Sequence, residues 1–293
     1  MNQSQHKSGY AAIIGKPNAG KSTLMNRILG SKISITTHKA QTTRHQVVGI
    51  YSDHDTQIVF LDTPGVISPK YELQKAMMKT VERARKDADL ILFIYDPTDR
   101  HPTDEVIELL QSINKPILLV VNKIDATDKA EAEKKVLLLK DQLRLHSVLY
   151  VSALQGDGVD ELLNTVRSLL PSGPPFYPKE DLSEHPVRFF VSELIREQLF
   201  LRFHEEIPYS CAVEVIEYKA DDEIDRISAD IIVNRNSQKG MLIGKGGKAI
   251  KELGIRSRES IEEFIGKKVF LELHVKVREK WREKENWVRN LGY

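Results

Sequence analysis

The chain has 293 residues, which suggests two domains, with 41% hydrophobic and 29% charged residues and a formal net charge of +1. Its single cysteine, Cys211, excludes a disulfide framework and fits a reducing cytosol. No apolar run approaches the roughly 18 residues of a membrane-spanning helix, and the polar N-terminus lacks a signal-peptide core. We therefore expect a cytoplasmic protein that is neither secreted nor membrane-spanning.

The first segment with a chemical signature is a glycine-rich loop. Residues 10–15 have the pattern of an apolar strand, and a helix pattern begins at Lys21. The loop between them has the P-loop form Gly-x4-Gly-Lys-Ser, whose backbone amides bind phosphates at a helix N-terminus. Lys21 is expected beside the β- and γ-phosphates, and Ser22 on Mg²⁺. A plain glycine-rich turn needs neither residue. The expected phosphate contacts are Gly15, Asn18, Ala19, Gly20, Lys21, Ser22 and Thr23.

Two further segments have the features of nucleotide switches. Asp62 follows an apolar strand at 57–61 and is expected to hold the magnesium shell, while the Gly65 amide meets the γ-phosphate. A threonine pair, Thr42 and Thr43, lies in a polar stretch where a mobile loop belongs. One of them should reach Mg²⁺ and the γ-phosphate only with GTP, and we favour Thr43. The expected metal ligands are therefore Ser22, Thr43 and Asp62.

The base is expected at the ends of two later strands. Strand 117–121 ends at Asn122-Lys123-Ile124-Asp125, where Asp125 can accept two hydrogen bonds that guanine offers and adenine does not. Asn122 would connect this loop to the P-loop, and the Lys123 stem would pack on the base. The turn Ser152-Ala153-Leu154 follows strand 147–151 and can offer an amide to guanine O6. In this register the set favours GTP over ATP.

The catalytic apparatus looks incomplete. Many switch GTPases place a glutamine after Asp-x-x-Gly to orient water, whereas this chain has Val66. We therefore predict slow hydrolysis without a partner, at about 10⁻⁴ to 10⁻³ s⁻¹. Asn18 has two interpretations that remain open, a ligand for a monovalent cation or an organiser of the loop. The candidate catalytic residues are Lys21, Thr43 and Asn18.

Strand and helix patterns alternate up to residue 170, which predicts a doubly wound, mostly parallel α/β sheet with one antiparallel edge hairpin at 52–55. The predicted strands are 10–15, 46–52, 56–61, 91–96, 117–121 and 147–151, and the predicted helices are 21–30, 70–87, 103–113, 128–145 and 158–170. Four prolines at 171–178 indicate a semi-rigid linker. The predicted domains are 1–172 (GTP-binding) and 181–293, joined by a linker at 173–180.

The second domain contains the sequence Gly244-Lys245-Gly246-Gly247. Its predicted order is helix 191–205, strands 210–218 and 226–234, a short helix, this loop, a long helix and strand 268–277, the α+β order of a type II KH domain. Residues 235–293 hold 15 Lys or Arg against 8 Asp or Glu, whereas 180–234 hold 5 against 14. A solvated basic face or a plain helix turn is the alternative, but the element order favours single-stranded RNA.

The expected RNA contacts are Ile243, Gly244, Lys245, Gly246, Gly247 and Lys248. Ile243, Ile250 and Leu253 are candidates either for the apolar floor of an RNA groove or for the core. A charged terminal helix at 278–293 has Trp281, Val288 and Leu291 as its apolar positions. We favour packing against the domain, with an extended RNA platform or a membrane surface as alternatives.

These residues resemble the Era family within the TrmE–Era–EngA class of bacterial GTPases. The shared features are Pro17-Asn18, Thr42-Thr43-Arg44 and a hydrophobic residue after Asp62-Thr63-Pro64-Gly65. The resemblance implies that Thr43 is the switch threonine, Asn18 a potassium ligand and Val66 the replaced glutamine, with GTP or GDP, Mg²⁺ and K⁺ bound.

The resemblance also implies binding near the 3′ end of 16S ribosomal RNA and a role in small ribosomal subunit assembly. We expect a monomer, and a weak peripheral association with the inner membrane remains open. The alternative is a GTP-gated protein- or membrane-docking module that keeps the KH domain as a scaffold.

Overall fold

The structure, a computed structural model, describes residues 6–99 and 102–293. They form two compact units. The N-terminal unit comprises residues up to Ser34, Thr43–Pro69 and Met77–Glu184, and the C-terminal unit comprises Ile35–Thr42, Lys70–Ala76 and His185–Tyr293. Two short stretches of the first half of the chain, 35–42 and 70–76, therefore belong to the C-terminal unit.

The N-terminal unit is built on a six-stranded sheet in the order β2-β3-β1-β4-β5-β6. The strands are β1 (Lys7–Gly15), β2 (Val47–Ser52), β3 (Thr56–Asp62), β4 (Leu90–Tyr95), β5 (Ile117–Val121) and β6 (Ser147–Tyr150). Strand β2 pairs antiparallel with β3, and the other pairings are parallel. The predicted doubly wound α/β sheet and its edge hairpin are confirmed.

The helices of this half of the chain are α1 (Lys21–Leu29), α2 (Glu72–Asp87), α3 (Asp104–Gln111), α4 (Lys129–Gln142) and α5 (Val159–Leu169). All belong to this unit except the start of α2, up to Ala76, which belongs to the C-terminal unit. Strands β3, β4 and β5 are buried along their whole length, as expected for strands covered on both faces. Parallel strands that share one direction place their carboxyl ends at one edge. That edge bears the P-loop, Asp62 and Asn122.

Element ends differ from the predictions where side chains or backbone intervene. Strand β1 begins at Lys7 rather than residue 10, because Lys7 pairs with Thr56 and its ammonium donates to the carbonyl oxygen of Arg167 at the end of α5, at 2.9 Å. Helix α4 ends three residues early, because Leu143 takes an extended conformation (φ −126°, ψ 141°). Within the stretch predicted as a semi-rigid linker, the amides of Phe176 and Tyr177 donate to Gln57 Oε1 at 2.6 and 3.0 Å.

The C-terminal unit has a three-stranded sheet in the order β7-β8-β9, with β7 antiparallel and β9 parallel to β8. Its elements are α6 (Val187–Arg202), α7 (Ile207–Ser210), β7 (Ala212–Lys219), β8 (Ile224–Val233), α8 (Asn236–Ile243), α9 (Lys248–Ile265), β9 (Lys268–Val277) and α10 (Glu285–Asn290). The predicted order is confirmed, α7 is an addition, and β9 has the predicted bounds.

The prediction of one continuous terminal helix is wrong. Lys280 adopts a left-handed conformation (φ 55°), a 3₁₀ turn follows at Trp281–Glu283, and the α-helix begins only after Lys284. Trp281 is fully buried, and its indole Nε1 donates to the carbonyl oxygen of Ser210 at 2.9 Å. Val288 is also buried, so the favoured expectation that this segment packs against the domain holds. Across the described part of the chain, no helix is both long and apolar enough to span a bilayer.

Candidate nucleotide and nucleic-acid sites

The P-loop encloses a buried lysine. Gly20 adopts a left-handed conformation (φ 94°), and a Cβ there would lie 2.1 Å from Asn122 Nδ2, so only glycine fits. The Lys21 ammonium donates to the carbonyl oxygens of Lys16 at 2.8 Å and Gly15 at 3.3 Å. Burial lowers the pKa of Lys21 to about 8, and the Asp62 charge opposes this shift. An incoming phosphate would supply the full negative charge that these carbonyls lack.

Three hydroxyl or carboxyl oxygens from separate elements meet beside the P-loop. Ser22 Oγ donates to Asp62 Oδ2 at 2.7 Å and lies 3.0 Å from Thr43 Oγ1. Ser34 Oγ also donates to Asp62 Oδ2, at 3.0 Å. The structure thus brings together all three residues that the sequence predicted as metal ligands, and adds Ser34.

The Asp62 carboxyl group has surroundings that suit a cation ligand. It is fully buried, and its Oδ1 has no hydrogen-bonding partner. Burial raises the pKa of Asp62, opposed by the Lys21 charge and the hydrogen bonds from Ser22 and Ser34. A buried carboxylate oxygen without a partner, next to two hydroxyls, fits the oxygen ligands that Mg²⁺ prefers.

The two adjacent threonines have different surroundings. The Thr42 hydroxyl donates to the carbonyl oxygen of Lys39 at 2.7 Å and lies 2.9 Å from Thr37 Oγ1, within a turn of the C-terminal unit. Thr43 lies beside Ser22 instead. Of the two threonines, Thr43 is therefore the one whose hydroxyl lies beside the predicted metal ligand Ser22.

The segment after Asp62 packs tightly on the P-loop. A Cβ on Gly65 would lie 2.5 Å from the backbone nitrogen of Pro17, so this approach requires glycine. The Val66 amide donates to the carbonyl oxygen of Gly15 at 3.1 Å. The Val66 side chain is 6% exposed and lies in the hydrophobic core beside the sheet, so it is directed into the protein interior.

Asn122 joins three loops at the base end. Its Nδ2 donates to the carbonyl oxygen of Ala19 at 2.9 Å, and its Oδ1 accepts from the Ala153 amide at 3.0 Å. The predicted connection to the P-loop is present. The Ala153 amide, which was predicted to donate to guanine O6, donates to Asn122 in this structure.

Asp125 and Lys123 are each held by a second residue. Ser152 Oγ donates to Asp125 Oδ1 at 2.6 Å, which orients an exposed carboxylate. Lys123 has a left-handed backbone (φ 62°), and its ammonium is ion-paired with Asp96. Asp96 was not predicted from the sequence, although its place directly after β4 puts it at the carboxyl edge of the sheet, where functional residues gather. Arg27 was not predicted either, and its Nε donates to the carbonyl oxygen of Ala153 at 3.2 Å.

The glycine-rich loop of the C-terminal unit joins α8 to α9. Gly244, Gly246 and Gly247 all have positive φ (70°, 62° and 75°), and a Cβ on Gly246 or Gly247 would meet nothing within 4 Å. The side chains of Lys245 and Lys248 are exposed. The loop therefore presents open backbone and two positive charges to solvent.

A groove of about 360 Å³ lies between α9 and the edge strand β9. It is lined by Ile250, Lys251, Gly254, Ile255, Arg258, Val269, Phe270, Leu271 and Leu273. Ile250 lines this groove, whereas Leu253 is fully buried in the core and Ile243 is half-buried. Leu253 is therefore a core residue, whereas Ile250 both lines the groove and packs against the core cluster that contains Leu253.

Two family models match the chain, one described as a 50S ribosome-binding GTPase over residues 10–123 and one described as a KH domain over residues 206–282. The GTPase Era of Staphylococcus haemolyticus is 42% identical over 99% of this chain and 98% of its own length. The chain belongs to the Era family of GTPases. A chloroplastic family member, GTPase ERA1 of Zea mays, is 45% identical over 98% of this chain and 71% of its own.

Solved Era structures share the whole fold. Aquifex aeolicus Era bound to GDP and AlF4⁻ matches with a TM-score of 0.93 at 38% identity, covering 98% of this chain and 99% of its own. An Era complex with MgGDPNP and nucleotides 1506–1542 of 16S ribosomal RNA matches with a TM-score of 0.91 at 40% identity and the same coverage. The resemblance stated from the motifs is therefore confirmed over nearly the full chain.

Proposed function

We propose that this Era-family chain is a GTP-hydrolysing switch that binds the 3′ region of small-subunit ribosomal RNA and acts in small ribosomal subunit assembly. One observation carries the proposal: a single chain has both a cluster of hydroxyl and carboxyl oxygens beside the P-loop and a basic groove beside a glycine loop with left-handed backbone. An Era relative that spans this chain binds MgGDPNP and a 16S ribosomal RNA segment, which supports both halves.

The N-terminal domain, residues 1–172, binds GTP or GDP with Mg²⁺ in this proposal. Mg²⁺ would neutralise charge on the β- and γ-phosphates, with Ser22, Thr43 and Asp62 as the residues that hold it. Lys21 neutralises phosphate charge, and the buried Asn122 keeps the base loop against the P-loop. Asp125, oriented by Ser152, selects guanine.

Hydrolysis is slow in the isolated protein because Val66 is packed in the core and has no group that orients water. Asn18 has an exposed side chain and a left-handed backbone (φ 63°) at the centre of the P-loop. We propose that K⁺ there supplies the positive charge that an arginine finger supplies in other GTPases. Equal rates in sodium and potassium would contradict this role.

The RNA-binding domain, residues 181–293, follows a linker at 173–180. Backbone amides of Gly244–Gly247 approach the RNA backbone, Lys245, Lys248, Lys251 and Arg258 supply charge, and Ile250 and Ile255 contact bases in the groove. The size of a KH groove suits about four unstacked nucleotides. We propose a cytoplasmic monomer, and flotation with anionic vesicles tests whether it also associates with a membrane surface.

The test is binding of the 3′ segment of 16S ribosomal RNA by protein loaded with GDP or GDPNP, with a large-subunit RNA of equal length as control. Lys245→Asp combined with Gly246→Asp should abolish binding and leave GTP binding intact. The affinity should fall by about 0.7 log units per phosphate contact for each tenfold rise in salt. A shallow salt slope, or equal binding of the double variant, would favour the docking-module alternative.

A further inference from the structure

Helix α6 contains a buried charge cluster that neither proposed site uses. Arg196 is 1% exposed, and its neighbours Glu193 and Glu197 are 4% and 2% exposed. The Arg196 guanidinium donates to Glu193 from Nε at 2.8 Å and from Nη2 at 2.5 Å, and lies 5.5 Å from the centre of the Phe200 ring. Buried ion pairs often stabilise a fold less than apolar residues of the same volume, so a cluster of this kind points to a role beyond stability.

The cluster holds the stretch 35–42, which belongs to the same compact unit as α6. The Arg196 Nη2 also donates to the carbonyl oxygen of Thr42. Glu197 Oε1 accepts from the Thr36 amide at 3.2 Å. The Lys39 ammonium donates to the carbonyl oxygens of Phe203 at 2.5 Å and of Phe200, at the end of α6. Three points along the helix therefore hold three points along the stretch.

The Thr42 contact has a direct consequence for Thr43. The Thr42 carbonyl and the Thr43 amide share one planar peptide unit, so a hydrogen bond that fixes the carbonyl also limits where Thr43 can lie. The Thr43 hydroxyl is the one beside Ser22. One hydrogen bond and one peptide unit therefore connect the buried Arg196 to Thr43, the proposed magnesium ligand.

Helix α6 is also bonded to α9, the helix that lines the groove. Gln198 Nε2 donates to Ser260 Oγ at 3.1 Å, and Arg202 pairs with Glu252 at 3.2 Å. A displacement of α6 would therefore act on α9.

We propose that Arg196, held by Glu193, is a positioning residue for the switch threonine and transmits the nucleotide state to α6 and the RNA groove. If Thr43 moved away from Ser22, the Thr42 carbonyl would leave Arg196, and a buried guanidinium would lose an acceptor. Because this loss costs free energy, stretch 35–42 would have two discrete arrangements, one with the Thr42 carbonyl bonded to Arg196 and one without that bond. Because coupling is reciprocal, RNA in the groove alters the placement of Thr43. The RNA half of this inference rests on the proposed function.

Two variants test it in the full-length protein. Arg196→Lys keeps the buried charge but loses the planar fork that serves Glu193 and Thr42 together. Lys39→Met removes the contacts at the end of α6 from a half-buried position, so it leaves the core intact. Arg188→Met, at an exposed position on the first turn of α6, is the matched control. Thermal unfolding confirms that each variant is folded.

We expect GDP affinity to stay at the wild-type value, because the proposed role of Thr43 requires the γ-phosphate. The kcat for GTP should fall about 10- to 100-fold, the cost of a misplaced catalytic group, with a smaller change in KM. The ratio of RNA Kd values between GDP and GDPNP forms, about 5- to 150-fold for typical allosteric coupling, should fall toward 1. Arg188→Met should change none of these.

Wild-type kcat and a wild-type Kd ratio in both variants would overturn the inference, as would equal losses in Arg188→Met. If the wild-type protein binds the RNA in neither nucleotide state, the proposed function fails, and the kcat values alone then decide whether Arg196 positions Thr43.

Discussion

Ser22 Oγ and Thr43 Oγ1 lie 3.0 Å apart, although 21 positions separate the two residues in the chain. Ser22 lies in the first turn of α1 and Thr43 in the loop before β2, so a helix N-terminus and a loop meet at one point. The next residue back, Thr42, is bonded into a turn with Lys39. Two adjacent threonines therefore have separable roles.

Thr43→Ala should lower kcat for GTP by about 10- to 100-fold and leave GDP binding intact, because in its proposed role the hydroxyl acts only on the metal and γ-phosphate. Thr42→Ala loses a turn hydrogen bond, and should cost about 0.5–1.5 kcal/mol of stability with a far smaller change in kcat. Single-turnover hydrolysis and thermal unfolding of both variants check this. A larger kcat loss in Thr42→Ala would reverse the assignment.

The buried Lys21 predicts a pH dependence of nucleotide affinity. Its pKa is lowered to about 8 in the free protein, and a bound phosphate would raise it, so binding takes up a proton above that pH. GDP affinity should be nearly constant from pH 7 to 8 and then fall, approaching tenfold per pH unit. Calorimetric titration measures this slope, and Lys21→Met should bind weakly and lose it.

The same shift has a stability consequence of definite sign. Lys21 in the folded, nucleotide-free protein loses its proton near pH 8, whereas the unfolded chain keeps it up to about 10.5. Stability contributed by this residue is therefore lower below pH 8 and rises between those values. The difference in unfolding free energy between wild type and Lys21→Met, followed from pH 7 to 10, should show this rise. A flat difference would mean that Lys21 is not desolvated.

The nucleotide motifs were predictable because spacing and strand ends determine them. Residues that follow buried parallel strands converge at one sheet edge, so Asp62, Asn122 and Ser152 needed only correct strands to be placed together. The KH loop was predictable for a related reason, since its glycines occupy left-handed positions that other residues avoid.

Other features were invisible in the sequence because they depend on tertiary contacts. Nothing in the pattern of α6 says that Arg196 is buried, since its acceptors on Glu193 and Thr42 include a residue 154 positions away. The terminal helix was predicted too long because its charged residues favour helix, whereas burial of Trp281 against Ser210 imposes a turn there. In the terminal segment, tertiary packing therefore overrides local helix propensity.

Val66→Gln should not restore a water-orienting group. The Val66 side chain lies in the core, so glutamine there either buries an amide without partners, at about 1–3 kcal/mol, or disturbs the segment that touches Gly15. We expect lower thermal stability and no gain in the GTP hydrolysis rate. A hydrolysis rate raised tenfold or more would show that residue 66 reaches the water.

Asp125→Asn should change base specificity. In the proposed site the carboxylate accepts from two guanine donors, whereas an amide would present one acceptor and one donor, which suits a base with a carbonyl in place of the exocyclic amine. GDP should bind about 10-fold or more weakly, and a xanthine nucleotide more tightly than in wild type. Competition assays with GDP, XDP and ADP measure this. Ser152→Ala, which releases the carboxylate and also removes the acceptor of the Gln155 amide (3.1 Å), should weaken GDP binding modestly and leave the base preference as it is.

Gly246 allows the backbone geometry and the RNA role of the KH loop to be separated. Its φ of 62° is left-handed, but a Cβ there meets nothing within 4 Å, so Gly246→Ala should cost about 1–2 kcal/mol from backbone strain alone. Gly173→Ala is the matched control, because its Cβ would also meet nothing and its φ is not left-handed. If the glycine serves close approach of RNA, Gly246→Ala should weaken binding of the 16S ribosomal RNA 3′ segment beyond what its loss of stability explains. An RNA Kd unchanged from that of Gly173→Ala, in protein shown to be folded, would mean that the glycine is needed only for the turn and that RNA contacts lie elsewhere in the groove.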